Sequence, residues 1–176
     1  MEKLTEVTNV KSDGQSLSNI QLEEFCKNND LPYNFLDLAE LVEQHDIEIP
    51  QSFVHTGIKQ NKYNNGNNNH WLYYIAPNKI FDSYGKSNDN YHLDGKYKIL
   101  PNEQLQNFDT VVCGEYCLSF NWYLNKIFLK DQELNNNSSY ATLIKEYNKH
   151  FKFTKNEKEN NNIVRQWYNS MKKKKK

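Results

Sequence analysis

Four residues in this chain have side chains and settings suited to acyl-transfer chemistry: His70, Asp82, Gln106 and Cys113. Cys113 precedes Gly114 and opens the most strongly helical stretch of the sequence. A helix start presents N–H groups without intrahelical partners and a partial positive charge, and both favour thiolate over thiol. A thiolate is a nucleophile toward a carbonyl carbon. Gly114 leaves room for a substrate backbone to approach. The same position also suits a small buried apolar residue. Cys117 lies one turn further along the same helix face and Cys26 lies in an earlier helix, so both read as core residues.

His70 is the best-placed base. It stands where an Asn-rich stretch turns into an aromatic strand, an edge position open to solvent, with Trp71 able to pack beside it. It also reads as an ordinary surface residue. His45, His55, His92 and His150 have less favourable contexts. Asp82 follows Ile80 and Phe81. A carboxylate in apolar surroundings requires a partner, and an imidazolium would serve. Alternatively Asp82 caps the turn at Ser83 to Gly85. Gln106 carries an amide that can donate to a developing oxyanion without adding a titrating group, although as a residue type it suits any surface.

These residues need elements to hold them. Ser18 with Gln21 fits a capping box, and Leu22, Phe25 and Cys26 follow at helical spacing, which predicts a helix over 19–28. Phe35, Leu36, Leu38, Leu41 and Val42 suggest a second short helix, and Ser52 to Ile58 is weakly strand-like. Gln60 to Asn69 is a polar loop by composition. His70 to Ala76 and Lys79 to Tyr84 read as two strands joined at Pro77-Asn78, and Tyr97 to Leu100 as a further strand. Cys113, Cys117, Phe120, Leu124 and Ile127 mark a broad apolar helix face that should sit deep in the core. Two more helices are expected at about 138–151 and 159–171.

Strand parity tests the pairing of His70 with Asp82. A two-residue turn at Pro77-Asn78 would set Tyr73 against Asp82 and send His70 and Asp82 to opposite faces of the sheet. A working pair therefore requires an odd-length loop, a bulge or irregular backbone near His70.

Bulk properties bound the rest. The 176 residues suit one domain: an N-terminal arm over 1–16, a folded unit over 17–171 and a lysine tail over 172–176. Lys+Arg and Asp+Glu are equal at 22 each, so bulk charge gives no argument for nucleic acid or acidic substrates. The three cysteines suit neither a disulfide framework nor a metal cluster. No apolar run is long enough to span a membrane, and nothing near Met1 reads as a secretion signal.

HWLYYIAPNKIFDSYG (His70 to Gly85) and LQNFDTVVCGEYC (Leu105 to Cys117) together resemble the adenovirus-type, adenain-like maturation proteases and, more broadly, the SUMO-protease clan. The shared pattern is His-Trp on a strand, an acid on the next strand, then Gln shortly before Cys-Gly at a helix start. The order His, Asp, Gln, Cys differs from that of papain-like enzymes, and such order separates convergent sites. LSNIQLEEFC (Leu17 to Cys26) is similar to the N-terminal helix of proteases in virophages and polinton-like elements. The motifs cover about a fifth of the chain, and 131–176 matches none.

The resemblance implies an α+β fold with a mixed central sheet flanked by helices and the nucleophile at the N-terminus of a buried helix. It implies that Cys113 attacks the scissile carbonyl, His70 acts as base and then acid, Asp82 orients His70, and Gln106 with the Cys113 N–H forms the oxyanion hole. Viral capsid or core precursors would be the substrates, met in a virus factory, nucleus or virion. No cofactor is required, DNA or a peptide could activate, and a monomer without membrane contact is expected. Within the same clan stand proteases that release ubiquitin-like modifiers and Cys-His acyltransferases. An inactive capsid-associated binding protein is the reading outside enzymology. The run Lys172 to Lys176 reads as a disordered solvated tail, or as a contact to DNA.

Overall fold

The computed structural model describes residues 17–43, 49–56, 70–85, 97–106 and 112–174. The fold is α+β. Five strands form one mixed sheet in sequential order: β1 (Phe35–Asp37), β2 (Gln51–Thr56), β3 (His70–Ile75), β4 (Lys79–Phe81) and β5 (Lys98–Ile99). β3 pairs antiparallel with β2 and with β4, while the outer pairs β1–β2 and β4–β5 are parallel. The helices among the described residues are α1 (Asn19–Asn28), α2 (Leu38–Glu43), α3 (Cys113–Tyr123), α4 (Asn137–Phe151) and α5 (Glu157–Lys174). α3 continues through a π-helical turn, Leu124–Phe128, into Leu129–Asp131. No helix among the described residues is long and apolar enough to cross a membrane.

Every residue of β3 is buried, because both faces of this central strand are covered. Trp71, Tyr73 and Ile75 alternate onto the face that carries the larger core, together with Phe53 and Phe81. Leu72 and Tyr74 alternate onto the opposite face and join Leu38, Leu41, Val54, Ile80 and Tyr97. A strand covered on both sides loses the polar half of its alternation, which explains the unbroken run of large residues after His70.

α3 packs on β3 and α5. Phe120 stacks on Phe81 with ring centroids 4.2 Å apart. The burial is wider than an apolar stripe: Glu115, Ser119 and Asn121 are buried as well. Each of the three has a polar partner, as burial favours. The Ser119 hydroxyl lies 2.7 Å from that of Tyr147, and Asn121 Nδ2 donates to Pro32 O at 3.0 Å. Glu115 faces Arg165 at 3.7 Å.

The predicted α1 forms with its capping box intact, since Ser18 and Gln21 exchange hydrogen bonds. The second predicted helix is shorter than expected. Phe35 and Leu36 belong to β1, drawn into extended backbone by parallel pairing with Phe53 and Val54. The last helix runs past the boundary placed at 171. Lys172–Lys174 continue α5, and Lys172 lies over the Tyr168 ring at 5.0 Å, so this part of the lysine run is helical rather than a disordered tail. The loops expected over 60–69 and 87–94 and the arm over 1–16 lie outside the described residues.

The turn after β4 depends on one glycine. Gly85 has φ +66, and a Cβ there would lie 2.7 Å from Asn102 O and 2.9 Å from Gln104 N. Gly85→Ala therefore sets a left-handed backbone and a backbone clash against the fold. It should cost about 3 kcal/mol, lowering the thermal midpoint by roughly 10 °C. An unchanged melting curve by circular dichroism would refute this account of the turn.

Candidate active site

The β3–β4 hairpin satisfies the parity requirement. Its register pairs Tyr73 with Phe81 and Ile75 with Lys79, which leaves the three residues Ala76 to Asn78 as the loop. Continuing that count sets Leu72 opposite Asp82 and His70 opposite Tyr84, so His70 and Asp82 share a face. His70 Nε2 lies 2.8 Å from Asp82 Oδ1, with both side chains buried. Both readings of Asp82 hold at once, because Oδ1 also accepts from Tyr84 N at 2.9 Å and caps the turn. Asn102 Nδ2 donates to the Asp82 carbonyl at 2.9 Å and ties the turn to the segment that leads to Gln106.

Cys113 begins α3, as predicted, behind an N-cap residue, Val112, whose side chain makes no capping bond. Its Sγ accepts from Trp71 N at 3.3 Å, which brings the thiol to the start of β3. The thiol is also a hydrogen-bonding partner of His70. Asp82 engages Nε2, so Nδ1 is the ring nitrogen left to serve the sulfur. Burial alone would push the imidazole pKa down. The negative charges of Cys113 and Asp82, with hydrogen bonds to both, outweigh it and hold the pKa up at about 10. At neutral pH the ring is therefore an imidazolium, set between Asp82 and Cys113.

Several details differ from the sequence reading. His70 is 1 % exposed rather than open at an edge. Trp71 does not pack beside it, because alternation turns the indole to the other face, where it meets Phe53 and His55 and donates from Nε1 to Leu17 O at 3.0 Å. Tyr84 takes that place: its ring stacks on His70 with centroids 4.2 Å apart and planes 3° apart. An aromatic face against an imidazolium is attractive. Reading on from Asp82 along the parity of the hairpin would have found Tyr84. Gly114 does not leave open space for substrate. A Cβ there would meet Leu17 Cβ at 3.1 Å, so the glycine admits the chain's own N-terminal segment.

Gln106 is fully buried, not a surface glutamine. Its side-chain carbonyl accepts from Ser83 Oγ at 2.5 Å, and its backbone N donates to Ser83 O at 3.2 Å. Gln106 is thus joined to the residue that follows Asp82. Residues 107–111, which connect it to α3, lie outside the described residues. His70, Asp82 and Cys113 are brought together directly, and Gln106 joins them through Ser83. His55 is half-buried with Asp37 at 3.6 Å, and His150 packs on Trp122 and Tyr123. His45 and His92 lie outside the described residues. Among those residues no three His, Cys, Asp or Glu side chains gather as a metal-ligand group.

The other cysteines are core residues. Burial, and secondarily Glu23, pushes the Cys26 thiol up to about 12. Burial also raises the Cys117 thiol well above its ordinary value, reinforced by the charge of Cys113. Brief treatment of the native protein with iodoacetamide should add one alkyl group, at Cys113, because the reactive form is the thiolate. Peptide mapping by mass spectrometry checks this, and modification first at Cys26 or Cys117 would contradict it.

Comparison of the chain with protein-family models, with curated proteins and with solved structures returns no match.

Proposed function

We propose that this chain is a hydrolase of the cysteine-nucleophile class with an adenain/SUMO-protease-like fold. Within that class we read it as an endopeptidase that cuts viral capsid or core precursors during particle maturation. The observation that carries the class is the arrangement of Cys113 at the start of a buried helix, against an imidazolium held by Asp82. The particular substrate rests on the resemblance of the His70–Gly85 and Leu105–Cys117 stretches to maturation proteases.

The chemistry follows from the positions. The Cys113 thiolate attacks the scissile carbonyl carbon, a C–S bond forms, and the carbonyl π electrons move onto oxygen. That oxyanion needs donors, and the Gln106 amide with the Cys113 N–H takes this role. As the tetrahedral species collapses, the C–N bond breaks and His70 gives its proton to the departing amine. A water then loses a proton to His70 and attacks the thioester, and the C–S bond breaks to return the thiolate and a free carboxylic acid. Asp82 keeps the ring oriented throughout and supports its charge.

The test is incubation of the purified protein with a major capsid precursor, in parallel with a fluorogenic ubiquitin-like conjugate and with acetyl-CoA plus an acceptor protein. Discrete cleavage of the precursor that disappears in Cys113→Ala is the expected result. Processing of the ubiquitin-like conjugate alone, or acetyl transfer alone, would replace this reading with a deconjugating protease or an acyltransferase.

A further inference from the structure

We propose that Ser83 is the positioning residue that sets which end of the Gln106 side-chain amide is offered to a developing oxyanion, an inference that rests on the function proposed above. An amide has a donor end and an acceptor end of nearly the same shape, and only the donor end stabilises an oxyanion. A buried glutamine therefore contributes nothing to such a hole unless something fixes its rotation.

The backbone around Gln106 is held without help from the Ser83 hydroxyl. Leu105 N and Gln106 N both donate to Ser83 O, at 2.9 and 3.2 Å. Leu105 O accepts from Tyr116 Oη at 3.0 Å and from Asn160 Nδ2 at 3.2 Å. Asn160 is itself fixed on the Thr154 backbone, receiving from its N–H at 2.8 Å and donating to its carbonyl at 2.8 Å. Gln104 Nε2 donates to Gln106 O at 2.9 Å. α3, α5 and the turn after β4 thus clamp the peptide from several directions. The rotation of the side-chain amide is a separate freedom that these bonds do not remove.

The Ser83 hydroxyl acts on that freedom. Its oxygen lies 2.5 Å from the amide, and both side chains are fully buried. That separation suits an O–H···O bond and is too short for N–H···O. The serine proton therefore goes to the amide oxygen, and the NH2 end is turned the other way. Ser83 also follows Asp82 directly and supplies the carbonyl that receives Leu105 and Gln106. One turn thereby sets both the acid that orients His70 and the amide of the oxyanion donor.

The experiment compares wild type, Ser83→Ala, Ser83→Thr, Gln106→Ala and Ser83→Ala/Gln106→Ala on a cleavable precursor peptide, with the Gln106 side-chain NH2 signals followed by NMR. Removal of one oxyanion donor typically costs 10²–10³ in rate, so Ser83→Ala, which misorients that donor, should lose roughly 10- to 100-fold in kcat with KM within about twofold. Its melting curve should show a folded protein, its Gln106 NH2 protons should exchange faster than in wild type, and Ser83→Thr should recover most of the rate. In the Gln106→Ala background the same change should have no further effect on kcat, the non-additivity expected when one residue acts through another. That comparison stands even if the threonine methyl disturbs the turn. Wild-type kcat in Ser83→Ala, unchanged NH2 exchange, or additive losses in the double variant would each overturn the inference alone. Absence of any Cys113-dependent cleavage in wild type would overturn the functional reading and this inference with it.

Discussion

On the proposed function, Cys113→Ala should lower kcat/KM for the precursor by at least about 10⁴-fold, because loss of the nucleophile would remove the covalent route altogether. No other thiol can take over. Cys117 lies four residues deeper in the same helix, Cys26 sits in α1, and both are fully buried with raised pKa values. The change also withdraws the acceptor of the Trp71 N–H, a bond of 3.3 Å. An unpartnered buried N–H costs about 1–3 kcal/mol, so some loss of stability accompanies the loss of rate. Cys113→Ser separates the two effects. Its hydroxyl keeps an acceptor for Trp71 while offering a far weaker nucleophile, so activity should fall almost as far with a melting curve close to wild type. Both variants should also lower the His70 pKa, since the negative charge of Cys113 helps to raise it. Imidazole NMR shifts against pH would show this. A His70 that still titrates near 10 in Cys113→Ala would contradict the pairing.

Asp82→Asn should produce the second largest effect, a fall of about 10²-fold or more in kcat/KM at pH 7, by removing the charge that orients and supports the imidazolium. The asparagine keeps the size of the side chain and an oxygen able to accept from Tyr84 N, which favours retention of the turn. What changes is electrostatic, and its sign is determined. His70 has a folded pKa of about 10 against an ordinary value of 6.5. The stabilisation from its charged form is fully present below 6.5 and is lost as pH rises through about 10. The alkaline limb of activity, where the imidazolium loses its proton, belongs near the same upper value. In Asp82→Asn one of the two charges holding the proton is gone, so the alkaline loss of both stability and rate should begin at lower pH. Melting midpoints and rates measured from pH 6 to about 11 test the claim. An alkaline limb unmoved by Asp82→Asn would mean that Cys113 alone holds the His70 proton.

The readings that held were those with local causes. A capping box spans three residues, and the helix faces repeat every three or four, so α1, α3, α4 and α5 were legible from spacing. The need of Asp82 for a partner was legible as well, because a carboxylate beside Ile80 and Phe81 carries its own solvation argument. Strand parity then turned one loop length into a test that the three residues Ala76 to Asn78 met.

The readings that failed depended on neighbours distant in sequence. Phe35 and Leu36 have helical spacing with Leu38 and Leu41, yet β2 offers them a parallel partner and they extend. Exposure was misjudged for His70 and Gln106, because burial is conferred by what folds over a residue. Trp71 was assigned a place that alternation denies it, and Tyr84 fills that place on the imidazole. Gly114 was read as space for a substrate, and Leu17 occupies that space.

By itself, then, the sequence determined which residues have side chains suited to acyl-transfer chemistry, the order in which they occur and the helices that carry Cys113 and its support. Those properties follow from side-chain chemistry and from hydrogen bonds between near neighbours along the chain. Only the tertiary structure decided that Cys113 meets His70, that Asp82 reaches the same ring from the next strand, and that Ser83 ties Gln106 to both. Those contacts join residues 12 to 43 positions apart, and sheet register and helix packing create them together.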